Sequence, residues 1–217
     1  MRYRSSERCQ GLARSIDFEA FSCMRCFRYI LAHDSGRAPC IDQNLITLAT
    51  CKPLIRRSAR AGDWVAAFMP RPHERGELVY AGRVADVLEW TDYTERYPER
   101  IDAVYSILAD GSVERLDPSY HDNSDAQRKD LSGPILVLDA DCSWYFGRSP
   151  ISLPWELQHL AAAGRGHRVS GVSTRDVEQL EKWLRDGSEP GVHHLPRTPD
   201  VRFSASYGCR LFSVLRR

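Results

Sequence analysis

Apolar positions along this chain fall in short runs separated by polar stretches, and the runs set the expected elements. The first run with strand composition is "FRYILA", residues 27–32. The turn-rich "HDSGRAPCIDQN" that follows predicts a loop. "KPLIRRSARAG" predicts one or two helical turns, with Pro53 suited to the first turn and Gly62 to the stop. "DWVAAFM" reads as a short strand. "GELVYAGRVADVLEW" carries the clearest alternation: Leu78, Tyr80, Gly82, Val84 and Asp86 interleave with Val79, Ala81, Arg83, Ala85 and Val87. A glycine in mid-strand points to a bend or bulge there.

"TDYTERYPERI" predicts a short helix and turn, and "AVYSIL" a short strand. "DGSVERLDPSYHDNSDAQRKDLSG" shows no period and reads as one long polar loop, a length usually reserved for function or disorder. "PILVLDADCSWYFG" predicts strand, turn, strand, and "LPWELQHLAAAGRGH" a helix ended by Gly164. The strongest helix is "STRDVEQLEKWLRDG". There Ser173 caps with Asp176 three residues on, Val177, Leu180 and Leu184 share a face, and Gly187 closes. "YGCRLFSVL" predicts a closing strand. Short strands in the middle with helices around them predict an α+β fold: a small, strongly bent β-sheet or barrel with flanking helices.

Residues 1–26 differ from the rest, being rich in Arg and Ser without a period. They read as a poorly structured N-terminal extension, and Met24 before the first strand suggests a start assigned too far upstream. Residues 27–217 then form a single domain.

Composition narrows the function classes. The 217 residues are 42% hydrophobic and 27% charged, with 30 basic against 29 acidic side chains, an ordinary globular balance. A net charge of +1 means that any nucleic-acid binding comes from a local patch. No run is apolar enough to cross a bilayer, and the basic N-terminus has no apolar signal core, so a cytoplasmic location is expected. The seven cysteines lack a framework and read as reduced thiols.

The candidate chemistry gathers in "TLATCKPLIRRSARAGDWVAAF". Lys52, Arg56, Arg57 and Arg60 lie close together, and arginine forks suit phosphate oxygens. A plain solvated helix face is the other reading of that patch. Cys51 is a candidate nucleophile wherever a histidine approaches it, though nothing in the sequence brings one there. His33-Asp34 and His121-Asp122-Asn123 are loop residues able to read a base edge or move a proton. Trp144, Tyr145 and Phe146 are either core or a stacking platform for an unstacked base. "CMRC", Cys23 and Cys26, has the spacing of half a zinc site, but no second close pair completes it, so no metal is expected. Dinucleotide, phosphate-loop, H-E-x-x-H and G-x-S-x-G signatures are absent from the sequence, and no cofactor is expected.

The order "AHDSGRAP", "TLATCKPLIRRSARAGDWV", "GELVYAGRV" and "YFG" resembles the nucleotide modification associated domain 2 family of bacteria and phages, over residues 28 to about 169. That resemblance marks His33, Asp34, Gly36, Thr47, Thr50, Cys51, Lys52, Arg56, Arg57, Gly62, Asp63 and Trp64, with Tyr145, Phe146 and Gly147 from the later block. It implies an association with DNA base modification. A looser likeness to PUA, EVE and YTH domains implies a bent barrel holding a nucleobase. Those domains often place an aromatic residue in the stretch matching 47–61. None lies there in this chain, which leaves Trp64 or the Trp144–Phe146 cluster to stack.

The leading expectation is a nucleotide- or nucleobase-binding domain, its partner a nucleotide or nucleic acid, DNA foremost. Lys52, Arg56 and Arg57 then face phosphate. Thr47, Thr50 and Cys51 line the pocket floor, His33, Asp34 or His121 meets the base edge, and Trp64 or Tyr145 stacks. The first alternative is an enzyme of base modification that uses Cys51 or the His33–Asp34 pair. The second is an interaction component of a phage or defence assembly.

Overall fold

The computed structural model of the protein describes residues 24–70, 76–162, 164 and 166–199. Ten strands and four helices follow in chain order. They are β1 Cys26–Ile30, β2 Thr47–Leu48, α1 Pro53–Ser58, β3 Trp64–Phe68, β4 Glu77–Leu88, α2 Trp90–Arg96 and β5 Tyr105–Ile107. Then come β6 Val113–Arg115, α3 Ser124–Leu131, β7 Ile135–Tyr145, β8 Ile151–Ser152, β9 His167–Arg168, α4 Thr174–Gly187 and β10 Gly191–Val192.

Eight strands form one strongly curled half-barrel sheet, with β10, β7, β4, β3, β1 and β9 side by side. β2 pairs with β7 and β8 with β4, off the main path, while β5 and β6 form a separate hairpin. The architecture is the α+β class with a bent sheet expected from the sequence.

The curl comes from irregular pairing. The register between β4 and β7 shifts between Gly82 and Val84 and again between Val84 and Asp86. Extra residues on one strand of a pair bend it and increase its twist. A further shift between Ala67 and Phe68 pairs Ala67 with Tyr80 but Phe68 with Leu78. Leu78 and Tyr80, which strict alternation places on one face, therefore pack in different clusters. Gly82 sits where β4 and β7 cross in close contact. A Cβ there would lie 2.5 Å from Ser143 Cβ and 2.9 Å from Leu138 Cδ1. Gly82→Ala is expected to destabilise the protein by about 1–3 kcal/mol through this overlap, seen as a lower urea midpoint; an unchanged midpoint would remove Gly82 as the reason for the close crossing.

One face of the sheet packs Tyr29, Val65, Ala67, Tyr80 and Tyr145 against Ile41, Ile46, Leu48 and Ile55. The other packs Trp64, Phe68 and Trp144 against Leu157 and Leu160 and against Val177, Leu180 and Leu184 of α4. α4 opens with the expected capping box between Ser173 and Asp176. A third cluster joins α2 and β5 to Ile135 and Val137 through Trp90, Tyr93 and Tyr105.

Three expectations change. The segment read as strand, turn, strand is the single strand β7, in which "DAD" falls between Leu138 and Ser143 as extra residues at the register shift opposite Arg83. Among its described residues, the stretch read as a helix after residue 152 holds only a 3-10 segment, Trp155–Leu160. The polar segment read as one loop contains β6 and α3. α3 has no apolar stripe to announce it; Asn123 caps it by accepting from Ala126 N–H at 2.8 Å. The expected closing strand and residues 1–23 lie outside the described residues. Of the "CMRC" pair only Cys26 is described, buried in β1, where desolvation pushes its thiol up to about 12.

Candidate active site

The block from Thr47 to Phe68 runs from β2 through a tight turn into α1 and on to β3. Cys51 and Lys52, both at the turn, have φ of 58° and 42°, the left-handed region that residues with a Cβ avoid. Such conformations cost free energy and persist only where the surroundings fix them, most often at functional sites. Here the surroundings do so at both ends of the Cys51 residue. Its N–H donates to Asp130 Oδ1 at 2.8 Å, and its carbonyl accepts from Arg56 Nε at 2.8 Å.

Asp130 belongs to the last turn of α3 and is buried. Its other oxygen, Oδ2, accepts from His121 Nδ1 at 2.5 Å and from the Tyr105 hydroxyl at 3.3 Å. His121 Nε2 lies 3.8 Å from Cys51 Sγ. Thiol, imidazole and carboxylate are thus strung in one line, the histidine between the other two and presenting a different nitrogen to each. Hydrogen bonds to Asp130 and to Cys51 raise the His121 pKa to about 9, against the opposing effect of burial. At neutral pH the ring is an imidazolium, the form that stabilises a neighbouring thiolate.

Several neighbours hold the histidine in place. Its ring stacks on Tyr120 at 4.0 Å between centroids, and the Arg37 guanidinium lies 3.9 Å from the other ring's centre. Arg37 is fixed by Asp117 at 2.6 Å and by the Ile101 carbonyl at 2.7 Å. The Tyr120 hydroxyl meets Thr50 Oγ1 at 3.0 Å, one residue before the thiol. Arg115 donates to the carbonyls of Tyr120 and His121, which fixes a backbone that is itself left-handed at His121, φ 52°.

Arg56 joins the two halves of the centre. It is fully buried, and its guanidinium donates to five main-chain carbonyls: Cys51, Lys129, Asp130, Gly133 and Pro134. A guanidinium has five N–H groups, so its donors are committed. The role expected for Arg56, contact with phosphate, gives way to positioning: it ties the turn at Cys51 to the end of α3.

The other expected site residues divide. Thr47 is buried and donates to Asp102 at 2.5 Å, within a network that includes Arg100 and Tyr93. Trp64 is fully buried, stacked on Trp144 at 6.4 Å, and Tyr145 is buried with its hydroxyl on Asp34 at 2.6 Å. Core packing takes these aromatic rings away from stacking on a base. His33 is exposed while Asp34 is buried, so the two neighbours form no acid–base pair. Arg57 is exposed, and Lys52 is half-buried with Nζ 4.5 Å from the Tyr29 ring centroid. Cys51 and His121, 70 residues apart, do come together. Asp130, Tyr120, Arg37 and Arg115 were not anticipated; the one local signal was the Asn123 cap, which marks α3 but not its inward face.

One sulfur, one ring nitrogen and one carboxylate oxygen from Cys51, His121 and Asp130 lie within 4.8 Å of one another, the donor types of a zinc site. The arrangement fits a relay better than a metal cage. A metal between Sγ and Nε2 leaves Asp130 behind the ring on Nδ1, with two protein ligands where closed zinc sites take four.

The sequence pattern of nucleotide modification associated domain 2 matches residues 23–202, a span that includes the whole Cys51–His121–Asp130 line. The chain belongs to this family. Membership associates the protein with nucleotide modification. No curated protein and no solved structure matches the chain. The described part of this nucleotide modification associated domain has no helix long and apolar enough to cross a membrane.

Proposed function

We propose that this protein is an enzyme of nucleotide modification that uses Cys51 as a covalent nucleophile. The observation that supports it is the Cys51–His121–Asp130 line, with 3.8 Å from sulfur to imidazole and 2.5 Å from imidazole to carboxylate. In this reading Asp130 fixes the orientation of His121, and the proton given up by the Cys51 thiol already resides on His121 Nε2. Cys51 Sγ then bonds to an electrophilic carbon of the nucleotide. The group displaced from that carbon leaves with the proton held on Nε2. Water, activated by the same nitrogen, releases the carbon from sulfur and restores the thiol. The substrate is a nucleotide, free or within DNA, and the recognition expected from the sequence is the step before attack.

The test combines binding with chemistry. The full chain is incubated with nucleotides and short DNA, and followed by thermal shift, by intact-protein mass and by mass analysis of the nucleotide. Wild type is expected to show a Cys51 adduct or a converted nucleotide. Cys51→Ala is expected to show neither while keeping the thermal shift, which reaches roughly 2.7 kcal/mol at a hundredfold excess over Kd. Stabilisation without adduct or conversion in wild type would leave a binding protein. No stabilisation by any of them would overturn the nucleotide reading itself.

A further inference from the structure

We propose that Lys52 is the anion-binding group of the Cys51 centre, so that the substrate presents a phosphate-class oxygen beside the attacking sulfur. The proposal rests on Cys51 being the nucleophile and names the class of substrate it takes: a phosphorylated nucleotide, not a free base or neutral nucleoside.

The first observation is a donor already committed. In thiol and hydroxyl nucleophile sites, main-chain N–H groups near the nucleophile commonly receive the negative oxygen of the reacting group. Here the Cys51 N–H is bound to Asp130 Oδ1 at 2.8 Å. Negative charge at this centre therefore calls for another donor.

The second observation is which cations remain. Arg56 is spent on five carbonyls, Arg115 on the loop that carries His121, and Arg37 on Asp117 and Ile101. Lys52 is different. It directly follows the thiol, its left-handed φ of 42° turns it out of the helix that starts at Pro53, and its Nζ rests over the Tyr29 ring. The Tyr29 hydroxyl is in turn fixed by Tyr80 at 2.8 Å. Among the described residues no carboxylate pairs with Lys52. An aromatic face holds an ammonium in place without using its N–H donors on an acceptor. Burial lowers the pKa of this amine, with the Cys51 thiol acting in the opposite direction. A bound anion favours the charged amine and reverses the effect of burial.

The test needs no identified substrate. Cys51 in the full-length protein is alkylated with iodoacetate, an anion, and with iodoacetamide, its neutral counterpart, and rates are read at the Cys51 peptide by mass spectrometry. Lys52→Gln is expected to slow iodoacetate about threefold to tenfold while leaving iodoacetamide within about twofold. Lys52→Arg, which keeps the charge, is expected to retain the wild-type preference. Inorganic phosphate is expected to protect Cys51 in wild type and not in Lys52→Gln. Equal slowing of both reagents, or phosphate protection that survives in Lys52→Gln, would overturn the proposal. Failure of the thiol centre is distinguishable: Cys51 would then react no faster than the buried Cys26, Cys40 and Cys142, and the anion site would fall with it.

Discussion

Arg56→Ala is expected to destabilise the protein by at least about 3 kcal/mol and to disable the thiol centre in the same step. The side chain has no exposed surface and donates to five carbonyls spread from Cys51 to Pro134. A hydrogen bond from a charged donor contributes about 1.5–3 kcal/mol, and a buried acceptor left unmade costs about 1–3 kcal/mol. Water entering the vacated space recovers part of this, so the sum of five bonds is an upper bound, not the expected value. The loss is also local. Without Arg56 nothing holds the Cys51 carbonyl, and the left-handed turn loses one of its two clamps. Urea unfolding measures the first effect and Cys51 alkylation under native conditions the second. Arg56→Lys is expected to rescue neither, because an ammonium offers three donors from one point where the carbonyls need a planar fork. A stability loss below about 1 kcal/mol, or full rescue by lysine, would remove Arg56 from the positioning role.

His121→Asn is expected to lower the rate of any Cys51-dependent reaction by about 10²–10⁴-fold, the usual range for losing a general acid–base. Asparagine is chosen because it tolerates the left-handed backbone at this position, so the fold is retained. The same variant reports on the charge of the ring. The groups that face it are Asp130, Cys51 and Tyr120, and its pKa rises from 6.5 to about 9. The folded protein therefore holds this proton more tightly than the unfolded chain. Its contribution to stability is complete below about pH 6.5, falls as pH rises, and is lost above about pH 9. The stability difference between wild type and His121→Asn is thus expected to shrink from pH 6 to pH 9.5. A difference that stays constant or grows over that range would mean that no imidazolium–carboxylate pair is present.

How much of the centre is legible in the sequence depends on how far apart its parts lie. Cys51, Lys52 and Arg56 stand within one block, so their proximity can be read directly, and so can the turn between a strand and a proline-started helix. Their roles cannot. Whether Arg56 faces solvent or the interior depends on α3 packing over it, and α3 is a polar stretch without an apolar period. His121 was a candidate for its chemistry alone. Asp130 was indistinguishable from the other carboxylates of the same segment. The sequence leaves Trp144 as either core or a stacking platform and offers Trp64 as a stacking partner, and what α4 and the segment around Leu157 place over them makes both core.

Strands β1, β3 and β4, the capped helix α4, the irregularity at Gly82 and the family can be read from local sequence, because caps, alternation and motifs are written within a few neighbouring residues. The tertiary structure alone decided that Cys51 meets His121 and Asp130, 70 and 79 residues further on. It also decided that a buried guanidinium holds them there. Those contacts depend on the curl of the sheet and on the satisfaction of buried carbonyls, and both are properties of the assembled chain.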